Sequence, residues 1–318
     1  MNARFACLRV LVGLVFSAVA WPLAAQTGLG LVRHAPALNG TGTVAGSLQQ
    51  MLGESLTMNG GFVMTGDLLA PGTPTVRLNG NPVYGGTQDG TGATTPSNYQ
   101  ITLNGNVRLS HVVRRTNAVA LPAVSAPPLP AGTRNVTINA ASQSPGSFST
   151  LRNLTLNGNV GQFAIPPGTY GDFTANGGAG FTLGVAGATQ PSVYNFQRLT
   201  LNGQTQVQVL GPIVINLAYG FSANGTLGAT SNPAWLTLNV YSGGFTLNGG
   251  CTVHGFVNAP NGTVIVNGNS QLIGGVTCDR LIVNGGGVLR LASATSANHA
   301  PVANNSTANV LEDTPTSV

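Results

Sequence analysis

The sequence predicts an all-β fold: a right-handed parallel β-solenoid with coils of about 17–26 residues. Three observations predict it. Asn-Gly pairs stand at residues 39, 59, 79 and 104 and again at 157, 176, 202, 224, 248, 267 and 284, and within each set the spacing is 17 to 26 residues. An alternating apolar stretch leads into the pairs, as with Phe245 and Leu247, Val264 and Val266, or Leu281 and Val283. Finally, 45 Gly and 42% hydrophobic residues are combined with only 6% charged residues, a composition suited to tight turns around a β core. One turn signal at a fixed phase of a period near 20 marks coils that each cover the apolar edge of the last. The same pairs could close antiparallel hairpins in a sandwich, but such turns usually recur every 8 to 12 residues.

The opening of the chain reads as a cleaved export signal, the alternative being an uncleaved membrane anchor. Arg4 and Arg9 precede an apolar run from Val10 to Leu23, and Leu23-Ala24-Ala25 is a small-residue cleavage pattern. Removing residues 1–25 takes two of twelve basic residues and leaves seven acids, a net charge of +3, with no membrane span expected after cleavage. The chain has no Lys and its Arg residues are scattered, which argues against a nucleic-acid partner. Cys251 and Cys278 occupy different phases of their coils, so two buried thiols are favoured over a disulfide.

Residues 26–113 read as irregular N-terminal coils, with a weak helical signal at Ser47–Leu56 and a loop-like insertion at Gly85–Ser97. Residues 114–134 carry Pro122, Pro127, Pro128 and Pro130 and form a connector that either links two blocks or straps along one. Residues 135–292 are the regular solenoid. In Leu199-Thr200-Leu201-Asn202-Gly203 both Leu face one side and Thr the other, while Asn and Gly tolerate the positive φ of a sharp bend. Stacking should align Asn157, Asn176, Asn202, Asn224, Asn248, Asn267 and Asn284 in a structural turn ladder with bonded amides. Thr102, Thr137, Thr155, Thr200, Thr237 and Thr246 should line an outward face able to bind glycan or ordered water, or simply be solvated.

Chemistry is hard to find. Glu54, Asp67, Asp89, Asp172, Asp279, Glu312 and Asp313 are dispersed, and the spacing sets no carboxylate pair on one groove. Asp279-Arg280 is an adjacent acid and base that reads as a surface cap, and His34, His111, His254 and His299 read as isolated. No catalytic residue, cofactor or metal site is expected.

Gly255–Gly268 (GFVNAPNGTVIVNG) and Gly274–Gly285 (GGVTCDRLIVNG) resemble secreted bacterial β-solenoid modules and, distantly, bactofilin coils. The tail, Asn298–Asn305 (NHAPVANN) followed by Glu312-Asp313-Thr314-Pro315, is similar to the opening of cadherin-like tandem repeats; residues 293–318 would then be a linker and an incomplete repeat. The resemblance implies a non-catalytic structural or adhesive module, extracellular or on the cell surface, with surface glycans or other cell-surface proteins as partners. The alternatives are a polysaccharide lyase or hydrolase on a β-helix, and an ice- or glycan-binding Thr/Asn face.

Overall fold

The computed structural model describes residues 28–158 and 160–292; the signal read at 1–25 and the tail at 293–318 lie outside the described residues. Its only helices among these residues are two short 3-10 turns, Phe148–Thr150 and Pro233–Trp235. Everything else regular is strand, and every pairing is parallel, from Arg134–Ile138 on Leu151–Leu156 to Gln100–Gly105 on Thr75–Gly80. The result is a β-solenoid of about 12 coils, close to 58 Å long at about 4.8 Å per coil. Parallel ladders exclude the hairpin alternative.

Each coil has three strand faces. The first ends at the Asn-Gly corner, and its inward column runs Ile138, Leu156, Ala175, Leu201, Ala223, Leu247, Val266, Val283, Leu38, Met58, Leu103 and Leu78. The second carries Phe181, Val207, Leu227, Val253, Leu272, Leu289, Val44 and Met64 inward. The third carries Tyr194, Ile215, Leu238 and Val257. Alternation puts every second residue into one continuous core, and like residues stack: Phe221 lies on Phe245 with ring centroids 5.3 Å apart. In the C-terminal block the corner takes positive φ at two successive residues at Gly249 and Gly250 (69° and 75°) and, one coil on, at Gly268 and Asn269 (58° and 61°), whereas at Gly40, Gly60, Gly80 and Gly105 only the first does.

The coils do not stack in chain order. The last described coil, Gln271–Val283 with Val288–Leu291, pairs onward with Leu29–Val32, Ala37–Leu38 and Thr43–Ala45, so the N-terminal block sits beneath the C-terminal one. At this seam the two ends of the described chain are neighbours: a Cβ on Gly28 would lie 3.7 Å from the Leu291 carbonyl oxygen. A second inversion follows, since Gln100–Gly105 inserts between Leu56–Met58 and Thr75–Gly80.

Residues 115–133 therefore have to return along the rod. Thr116 N–H donates to the Ala70 carbonyl, Gln49 Nε2 to the Asn117 carbonyl (2.7 Å), Gln197 Nε2 to the Pro128 carbonyl (3.0 Å), and Thr133 N–H to Thr150. Eleven residues separate Asn117 from Pro128, about 34 Å in polyproline geometry, and the six coils they pass measure about 29 Å. An extended proline-rich strap fits that span, whereas a helix of the same length, about 17 Å, would fall short.

The two ends of the rod differ. At one, Asn139 and Ala140 N–H both donate to Gln143 Oε1 (2.6 and 3.1 Å), Arg134 Nη2 reaches the Ser147 carbonyl (2.7 Å), and Phe148 packs on the core, so residues 140–150 cap the coil. At the other, Leu78 is 51% exposed while its column neighbour Leu103 is fully buried. Two expectations are corrected. Within Ser47–Leu56, Ser47–Gln50 is a strand rather than the expected short helix over the first coil, because its residues pair with Leu29–Val32 and Leu48 faces the core. Within Gly85–Ser97, Thr87–Asp89 pairs with Val112–Arg114 as a third-face strand.

Candidate functional site

The Asn-Gly corner forms a directional ladder. Asn202 Nδ2 donates to Asn176 Oδ1, Asn176 to Asn157 and Asn157 to Asn139, each at 2.9 Å; beyond the seam, Asn79 donates to Asn104, Asn104 to Asn59 and Asn59 to Asn39, at 2.7–2.8 Å. Asn224, Asn248, Asn267 and Asn284 keep the register through backbone N–H bonds to Leu201, Ala223, Leu247 and Val266. A second ladder has no turn motif to announce it: Asn258 donates to Asn239, Asn239 to Asn216 and Asn216 to Asn195, each at 2.9 Å, and Asn195 to Thr169 at 3.2 Å. These Asn lie mid-strand between apolar residues with no Gly after them; their separations of 19, 23 and 21 residues were the available signal.

Five of the six candidate Thr share the outward row of the first face. Thr137, Thr155, Thr174, Thr200, Ser222 and Thr246 follow one another over six coils, and Thr102 stands beside Thr57 beyond the seam. Two of the six, Thr174 and Ser222, were not foreseen. Thr237 is corrected: it pairs with Val214 and Phe256 on the third face, because its following Leu238-Asn239 belongs to the second ladder rather than to an Asn-Gly corner. Ile265 and Ile282 end the row towards the seam.

The acids and histidines are less scattered in space than in sequence. At the seam, His34 Nδ1 lies 2.8 Å from Glu54 Oε1 and its Nε2 lies 3.7 Å from Asp279 Oδ1, while Arg33 Nη1 donates to the same Asp279 oxygen at 2.9 Å. Burial pushes the Glu54 carboxyl up, but the Ala35 N–H and His34 outweigh it and hold it below the ordinary 4.5. Asp67, Ser110 and His111 form a second group, so neither His34 nor His111 is isolated: coil stacking joins residues 20 to 246 positions apart. It is not a nucleophilic triad. Ser110 Oγ (2.9 Å) and Asp67 Oδ1 (3.0 Å) both meet His111 Nδ1, whereas a relay needs hydroxyl and carboxylate on opposite ring nitrogens. Asp89 pairs with Arg114 at 2.8 Å, and Asp172 stands in register with Arg198, whose guanidinium lies 4.7 Å from the Tyr219 ring centroid. Among the described residues no group of three or more His, Cys, Asp or Glu is placed to hold a metal ion. Cys251 and Cys278 are buried free thiols, and burial pushes Cys278 up and His254 down.

One interruption of the corner creates a cavity. Asn202 to Gln206 spans the corner of one coil and Asn248 to Thr252 that of the next but one, but between them Asn224-Gly225-Thr226 makes the same corner with two residues fewer, since Gln206 pairs with Thr226. The deletion leaves a notch of about 370 Å³ lined by Gln204, Thr205, Gln206, Asn224, Thr226 and Cys251, with Gly225, Gly249 and Gly250 between them. None of these side chains carries a formal charge. Gln204 holds φ at +41°, and the fully buried Thr205 hydroxyl has no partner among the described residues.

The class is thereby defined as a parallel β-solenoid, with no helix among the described residues long and apolar enough to cross a membrane. Comparison with protein-family models, characterised proteins and solved structures finds no match to the chain.

Proposed function

We propose that the chain is a non-catalytic structural or adhesive module of a bacterial surface or secreted protein, acting outside the cell. The observation that carries this reading is the use made of its polar side chains. The Asn amides of the two ladders are spent on bonds along the rod axis, and Asp67, Asp89 and Asp279 bridge neighbouring coils. That leaves the uncharged outward row from Thr137 to Thr246, with hydroxyls repeating at about the strand spacing of 4.8 Å, as a part offered to a partner. A surface of that kind suits neutral glycans or a neighbouring surface protein.

The test is to incubate the full chain with acidic and neutral polysaccharides, with and without calcium, scoring both retention on the polymer and release of fragments. Retention without turnover is expected. Turnover that disappears in Asp172→Asn or Asp279→Asn would replace this reading with a carbohydrate-active enzyme.

A further inference from the structure

We infer that the corner notch at Asn224–Thr226 is a binding site for one neutral sugar or polyol unit. The inference deepens the adhesive reading and rests on it. Its basis is the hydrogen bonding that the missing two residues interrupt. At the corners on either side of the notch, the second turn residue of one coil donates its N–H to the first turn residue of the next: Gly178 to Gly203 at 3.4 Å, Gly250 to Gly268 at 2.9 Å, Asn269 to Gly285 at 3.2 Å. Gln204 and Gly249 occupy those two positions on opposite walls of the notch. The shortened coil between them supplies neither the carbonyl that Gln204 N–H would meet nor the N–H that the Gly249 carbonyl would accept.

The notch thus presents one backbone donor and one backbone acceptor across two coil spacings, about 9.6 Å. Two hydrogen bonds of about 2.9 Å leave roughly 4 Å between the atoms a ligand must supply. Hydroxyl groups on a small ring meet that span, and a hydroxyl can accept on one wall and donate on the other. Charge selects the same chemistry, since the Gln204, Gln206, Asn224 and Thr226 side chains offer amides and hydroxyls and no ion. An anion or a cation would lose its hydration without a counter-charge.

The decisive variant restores the corner by inserting Gly-Thr after Gly225, giving this coil the length of its neighbours. Titration of the full chain with D-glucose, D-galactose, N-acetylglucosamine and myo-inositol, followed by NMR line shifts, should show weak saturable binding of at least one, lost at least tenfold in the insertion variant. The variant should melt no lower than the parent, which establishes that it folds, and Gln206→Ala should weaken binding while leaving the melt unchanged. The same sugars displayed as the ends of immobilised glycans separate a free monosaccharide from a chain terminus as the ligand. If no probe binds in either form, the inference is overturned. Binding that survives the insertion but is lost in Thr200→Val with Thr246→Val also overturns it, while leaving the adhesive reading on the Thr row.

Discussion

Asn216 shows what a single amide does in this fold: it donates to Asn195 and accepts from Asn239, so its side chain joins three coils. Asn216→Ala removes both bonds and leaves the half-buried Asn239 amide without its acceptor, and we expect a loss of about 1–3 kcal/mol in chemical denaturation. Asn202→Ala, at the exposed corner where water can replace the lost partner, should cost less. An inward residue is more demanding. Leu247 is fully buried between Ala223 and Val266, and Leu247→Asp places an unpaired charge there, so we expect the neighbouring coils to become open to protease below the parent's melting temperature. An unchanged melt would contradict the stacking. The contrast between the ladders also explains what could be read in advance. Asn followed by Gly announces a turn through its backbone preference, but Asn195, Asn216, Asn239 and Asn258 sit within strands, where nothing local distinguishes a bonded amide from a solvated one.

The strands and corners were legible for the same local reason, and their order was not. Alternation fixes which side of a strand is core, but Val283 meets Leu38 only because the blocks are inverted, and no property of either segment encodes its neighbour. Glu54, His34 and Asp279, which meet only at the seam, consequently stand apart in the sequence. The depressed Glu54 carboxyl gives the seam a pH dependence of definite sign. Its ionised form is favoured in the folded state, so the contribution is complete above about pH 4.5 and is lost as pH falls through the lower folded value. The melting temperature should drop on acidification below pH 4.5, and Glu54→Gln should remove part of that slope; an identical slope in the variant would show that Glu54 does not contribute. The strap is a separate element, held by Gln49 and Gln197 but outside the ladders. Cutting at an engineered site between Ala123 and Val124 should leave the two fragments co-eluting, since the seam strands still pair; separate elution would mean that the covalent link alone holds the blocks together.

For the whole molecule, inversion makes the rod nearly a closed circuit. The strap joins the last coil but one at one end to the first coil at the other, and Gly28 abuts Leu291 in the interior, two-thirds of the way along the stack. A permutant joining Ala292 to Gly28 through a short linker and opened between Ala123 and Val124 would follow the stack much more nearly in chain order. It should fold to the same circular dichroism spectrum and refold faster, because contacts such as Arg33 with Asp279, 246 residues apart, become local. Equal refolding rates would place the slow step elsewhere. In the natural order the coil at residues 29–45 leaves the ribosome well before the surface it stacks against, which is complete only when residue 291 has been made. At 5–20 residues per second that interval is about 12–50 s. Throughout it the edge formed by Val32, Leu38 and Val44 stays open, and a newly made chain is then most exposed to pairing with the wrong neighbour, including another nascent copy of itself.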